Sequence, residues 1–137
     1  MAGVTVGLPS FSSVISNAKP KERLGVALVG LGSYSTSMLG PALKKTSNCY
    51  LSGIVTGTPS KAVRWSAEYN IPQKNIYEYD RYDDIANNPE IDIIYVVLPN
   101  SMHAEYTIRA LEAGKHVICE KPMAMNGEEA RRMIAAA

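Results

Sequence analysis

Two short groups of residues in this chain of 137 have the types and spacing for chemistry. Gly30-Leu31-Gly32-Ser33-Tyr34-Ser35 follows the apolar run Leu24–Val29. A glycine turn between a strand and a helix points backbone N–H groups outward, the arrangement that holds a pyrophosphate. Gly30 permits the turn, and Gly32 takes a Cβ out of the way of the diphosphate. Ser35 is small enough for the third position, where Gly or Ala usually packs helix on strand. The second group, Glu120-Lys121-Pro122, follows His116-Val117-Ile118-Cys119 and delivers a carboxylate and an amine. A carboxylate beside a buried strand needs a partner, and Lys121 or a group on the substrate side is the expected one. An amine there can bond a hydroxyl and help remove its proton, so Lys121 is the candidate catalytic residue. An empty tight turn would use the same glycines, and a charged turn would use the same Pro122. Position separates the readings: both groups sit where strands end, the edge at which open α/β sheets bind ligands.

Two further strand ends carry polar residues. Thr56-Gly57-Thr58-Pro59-Ser60-Lys61, with Arg64 beyond, has no carboxylate where an NAD-selective site places one for the ribose hydroxyls. Hydroxyls, a helix start and two cations suit a 2′-phosphate, which favours NADP over NAD; an ordinary solvated turn is the plainer alternative. No Asp or Glu lies between Glu22 and Glu68, while Arg23, Lys44, Lys45, Lys61 and Arg64 do, so this lobe suits an anion. Leu98-Pro99-Asn100-Ser101-Met102-His103 ends a fourth apolar run. Pro99 turns the chain off the sheet, and Asn100 and His103 are expected over the cofactor edge. Their role there is to touch ribose or substrate rather than to transfer a proton.

The elements that must position these groups alternate. Leu24–Val29 reads as a strand, Ser35–Thr46 as a helix kinked by Pro41, and Tyr50–Thr56 as a strand. Pro59–Tyr69 reads as a helix with Thr58 as its cap and Pro59 at its first position. Ile76–Tyr77 is a short strand, Tyr82–Asn87 a short helix and Ile91–Leu98 a buried strand. Ser101–Ala113 is a helix ended by Gly114, His116–Cys119 a fifth strand, and a last helix begins near Gly127. Such alternation implies right-handed crossovers and an α/β fold with a doubly wound parallel sheet.

Composition narrows the partners. A net charge of +1 gives no case for nucleic acid or a membrane surface, and the apolar run Ile93–Leu98 is far too short to cross a bilayer. Cys49 and Cys119 have no metal-ligand spacing and read as two buried thiols. Residues 1–23 read as an arm, lacking the charged head and long apolar core of an intact signal peptide. The chain ends in Arg131–Ala137 within a helical pattern, so a fragment of a longer protein is expected, with 24–137 as its nucleotide-binding unit.

In three segments the sequence resembles the glucose–fructose oxidoreductase/inositol dehydrogenase (Gfo/Idh/MocA) family. They are Val26–Gly32, Val97–Glu105, and Ala113-Gly114-Lys115-His116-Val117-Ile118-Cys119-Glu120-Lys121-Pro122-Met123-Ala124. Leu39–Leu43 and Gly57–Ala62 bring the likeness nearest to the glucose–fructose oxidoreductase branch. The resemblance implies a Rossmann fold and hydride transfer between a nicotinamide cofactor and a sugar or polyol carbon. It places the family's Glu-Lys-Pro lysine at Lys121, and it implies a second, sheet-rich domain that supplies further acid–base residues and oligomer contacts. From the residues alone two other classes stand beside it. One is a non-catalytic dinucleotide sensor; the other is a methyltransferase-like nucleotide fold, which usually keeps the acid that this chain lacks after its second strand.

Overall fold

A computed structural model describes residues 21–137; the expected arm lies outside the described residues except for Lys21, Glu22 and Arg23. Five parallel strands form one sheet: β1 Leu24–Val29, β2 Cys49–Val55, β3 Ile76–Tyr77, β4 Ile93–Val96 and β5 His116–Cys119. Their spatial order is β3-β2-β1-β4-β5. The order reverses between β1 and β4, so the crossovers leave β1 towards one side and β4 towards the other. A crevice must open between those two strand ends.

The strands are apolar because the sheet is covered on both faces. Ala27 and Val29 point into one core with Val55, Ile94, Val96, Tyr106 and Ala110. Leu28, one residue out of phase, points into the other with Leu51, Ile54, Trp65 and Ile71. Burying each such aliphatic side chain is worth about 1.5–3 kcal/mol, so a register slip in β1 would misplace the anchors of both layers. The first layer is covered by α3 (His103–Glu112) and a 3-10 segment, Tyr79–Asn87. The second is covered by α2 (Pro59–Tyr69) and by α1, a π-helical stretch Ser35–Leu39 running into an α-turn Gly40–Leu43. The last helix, α4 (Gly127–Ala136), is capped by Asn126, whose side chain accepts the Glu129 N–H at 2.9 Å.

Pro41 acts differently from the expected kink. The Gly40 N–H bonds the Ser35 carbonyl, five residues back, so the helix widens just ahead of the proline. An unbroken α-ladder would drive the Pro41 ring into the Ser37 carbonyl. Strand β4 is shorter than the apolar run Ile91–Leu98, because Ile91 is spent in the core at a turn and the chain leaves the ladder after Val97, whose N–H still bonds Val29 O. Thr58 stands at the start of α2 but makes no side-chain cap. Its carbonyl accepts from Lys61 and Ala62, while the Thr56 hydroxyl accepts the Thr58 N–H at 3.2 Å. Both cysteines are free thiols and half-buried rather than buried.

Candidate functional site

Backbone bonds set the strand ends level. Gly30 N–H bonds Val55 O, Val97 N–H bonds Val29 O, Glu120 N–H bonds Val96 O, and Thr56 N–H bonds Tyr77 O. The loops after β1, β2, β4 and β5 therefore leave from one edge.

Gly30 has φ +94, and a Cβ on it would stand 2.4 Å from the Val97 carbonyl oxygen. No other residue fits this turn without strain. Ser35 is fully buried and its hydroxyl donates to Gly30 O at 2.7 Å, which ties the helix start to the turn. The first α-helical bond of this stretch runs from Thr36 N–H to Gly32 O. The N–H groups of Gly32, Ser33, Tyr34 and Ser35 thus precede the ladder and lack intrahelical acceptors. A Cβ on Gly32 would meet no atom of the described residues within 4 Å, so packing among them does not require glycine there and the position is open to the close approach of a ligand. The Leu31 side chain is buried in the second core, leaving only its backbone to face a ligand.

The Glu120-Lys121-Pro122 turn is held from two sides. The Tyr95 hydroxyl donates to Glu120 Oε1 at 2.6 Å, so the carboxylate is partnered by a phenol rather than by the Lys121 ammonium. The Lys121 backbone N–H lies 3.3 Å from Glu120 Oε2, while its side chain is exposed. Burial pushes the Tyr95 phenol well above its ordinary value, and the bond to Glu120 and the charge of Glu120 add to the shift. On the other side stands His103. It does not overhang the edge as expected: its ring is 1% exposed, with Nδ1 2.7 Å from Pro122 O and Nε2 2.8 Å from Leu98 O. The peptide before Pro122 is cis.

These pieces enclose a cleft of about 520 Å³ lined by Gly32, Ser33, Tyr34, Val97, Leu98, Asn100, His103, Glu120 and Lys121. Pro99 is extended and its carbonyl accepts from Met102, which opens α3 with a 3-10 turn and leaves Asn100 exposed at the mouth. A larger groove, about 750 Å³, runs beside α2 and β3 past Thr56 and Pro59; the glycine loop and Lys121 face the smaller cleft. Gly57 and Thr58 are exposed at the end of β2, and Lys61 and Arg64 follow on α2. The cations of the acid-free stretch do not converge. Arg23 bonds the carbonyls of Thr46 and Cys49 at the opposite edge, and Lys44 lies over the Tyr69 ring and 3.9 Å from Glu68. Lys61 and Arg64 remain without an ion pair among the described residues.

Sequence reasoning missed Tyr95 and misplaced His103. Register held the clue to the first: Tyr95 pairs with Ile118, so Glu120 lies two residues on along the same face. Tyr95 is also the one aromatic residue in the otherwise aliphatic β4.

Comparison with known proteins agrees with this geometry. Residues 24–137 match the GFO_IDH_MocA oxidoreductase family, NAD-binding Rossmann fold. The chain belongs to that family, as its NAD(P)-binding Rossmann unit. It superimposes on the aldose-aldose oxidoreductase of Caulobacter crescentus with a TM-score of 0.81 and 44% identity, over 83% of this chain and 34% of that one. A 3-ketoreductase from Actinomadura kijaniata, solved with NADP, gives a TM-score of 0.74 and 28% identity over 84% of this chain and 35% of that one. The D-xylose 1-dehydrogenase [NADP(+)] of Haloarcula marismortui is 32% identical over 79% of this chain and 30% of its own length. The chain thus spans about a third of the length of each of these relatives.

The residues present fit a nicotinamide dinucleotide. Free amides and the open Gly32 position leave room for a diphosphate, Asn100 and Tyr34 stand at the cleft mouth, and Glu120 and Lys121 stand where β5 ends.

Proposed function

We propose that the intact protein is an oxidoreductase that moves hydride between NADP(H) and a carbon of a sugar or polyol. The observation that carries this reading is the shared cleft: the glycine loop, Asn100 and the Glu120–Lys121 turn line one space. When bound, the nicotinamide supplies the hydride acceptor or donor. Each residue group of this chain has its own part. Amides at 32–35 hold the diphosphate. Thr58, Lys61 and Arg64 offer a hydroxyl and two cations to a 2′-phosphate, with Thr56 and Gly57 shaping the turn. Leu98, Pro99 and Asn100 border the ribose side. The Tyr95 hydroxyl fixes the Glu120 carboxylate. Lys121 Nζ holds the reacting hydroxyl and receives or returns its proton.

For partners, the reading assigns a sugar or polyol and further copies of the same chain, and neither nucleic acid nor a membrane. No described helix is long and apolar enough to cross a membrane. The test is a panel of D-glucose, D-xylose, glycerol and myo-inositol with NADP, following nicotinamide absorbance in the intact protein. Reduction of NADP by at least one of them is expected. Binding of NADP with no turnover of any aldose or polyol, in either direction, would favour the non-catalytic sensor.

A further inference from the structure

His103 opens α3 at the wall of the cleft, and it is only 1% exposed. Both ring nitrogens stop at backbone carbonyl oxygens: Leu98 O at 2.8 Å, on the β4 exit loop, and Pro122 O at 2.7 Å, on the β5 exit loop. A carbonyl only accepts and a neutral imidazole has one N–H, so the ring bonds both loops at once only as the imidazolium, each N–H donating to one carbonyl. No donor from either loop competes for the ring. The β4 exit ends in Asn100 and the β5 exit carries Lys121, immediately before the bonded Pro122. With Tyr95 drawing Glu120 from the strand side at 2.6 Å, Lys121 lies on a turn fixed at both neighbours. Lys121 itself is exposed and has no side-chain bond among the described residues, so its place is set by that turn.

We propose that His103 is a positioning residue: it clips the Glu120-Lys121-Pro122 turn to the β4 exit loop and thereby sets where Lys121 Nζ stands in the cleft. This rests on Lys121 as the proton-handling group. The clip acts through Lys121. A misplacement of the order of an ångström in such a group costs about 10²-fold in rate.

The experiment uses the intact protein, NADP and the best alcohol from the panel, with four variants: His103→Ala, His103→Gln, Lys121→Ala, and His103→Ala combined with Lys121→Ala. Hydrogen exchange of the segment 119–125 is read alongside turnover. His103→Ala is expected to lower kcat about 10- to 100-fold with the NADP Kd within about threefold, and to speed exchange at 121 and 123. His103→Gln, which keeps a side-chain N–H donor, recovers part of both. In the Lys121→Ala background the loss of His103 costs no further turnover, because the effect it transmits is already gone. Should His103→Ala fail to fold, the Gln variant and its own combination with Lys121→Ala carry the same comparison. Unchanged exchange across 119–125, or losses that multiply in the double variant, would overturn the proposal. If Lys121→Ala alone left turnover intact, the catalytic reading of Lys121 would fall, and exchange would still decide whether the clip exists.

Discussion

Glu120 and Lys121 leave the same strand with different fates. Glu120 is bound by the Tyr95 phenol, and Lys121 is left exposed at the cleft. On the proposed function, that division leaves orientation to the carboxylate and proton handling to the amine. Lys121→Ala should cut turnover roughly 10²–10⁴-fold, the loss expected for an acid–base group, with little change in NADP affinity, since the diphosphate contacts lie on another loop. Lys121→Arg should not restore the rate, because a guanidinium stays protonated. Steady-state kinetics of both variants in the intact protein check this. Near-normal turnover in a folded alanine variant would make Lys121 a surface residue.

At the scale of elements, the glycine loop separates folding from binding. Gly30→Ala places a Cβ 2.4 Å from a carbonyl at φ +94, and should cost at least about 1–3 kcal/mol of stability. Gly32→Ala meets no atom of the described residues, so it should leave the melting temperature nearly unchanged while weakening NADP binding by roughly tenfold or more, the equivalent of one impaired charge-assisted bond. Melting curves and a binding titration on each variant test the pair; equal stability losses at both positions would remove the ligand rationale for Gly32. The turn role of Gly30 was legible in the sequence, because a strand-turn-helix pattern fixes where the tight turn must fall. The β5 motif was legible for the same reason. Tyr95 was not, since its partner depends on the β4–β5 register, which no local pattern reports. Nor was the role of His103, because a histidine after a strand end reads the same whether its ring turns out to a ligand or in beneath two carbonyls. The expected anion-binding lobe does not gather all its cations, on the same ground: a run of cations says nothing about direction, and Arg23 and Lys44 turn to carbonyls and a ring at the far edge.

The whole molecule gathers its perturbed groups away from the ends of its pH range. Burial raises the phenols of Tyr82 and Tyr95, with the Glu120 bond adding at Tyr95. The unfolded chain therefore releases these protons first, near an ordinary phenol value of about 10. Their contribution is complete below that pH and is lost as pH rises towards the folded values. On the acid side, Asp92 is raised by burial but lowered more by its bonds from Lys21 and the Gly25 N–H, for a net fall. That contribution is present above about pH 4 and disappears as pH falls through the folded value. Urea melts should give a plateau from about pH 5 to 9.5 with a decline on each side, and Tyr82→Phe should flatten the alkaline limb. An alkaline slope unaltered by that substitution would contradict the assignment.

The account stands or falls on a nicotinamide dinucleotide lying across the β1/β4 crevice with its 2′-phosphate at Thr58, Lys61 and Arg64. Calorimetric titration of NADPH and NADH into the intact protein and its Thr58→Asp variant tests this most directly. The predicted result is NADPH binding at least about tenfold tighter, as one charge-assisted contact of roughly 1.5–3 kcal/mol requires, with the aspartate narrowing or reversing the difference. Equal affinities, or tighter NADH in the unaltered protein, would contradict it.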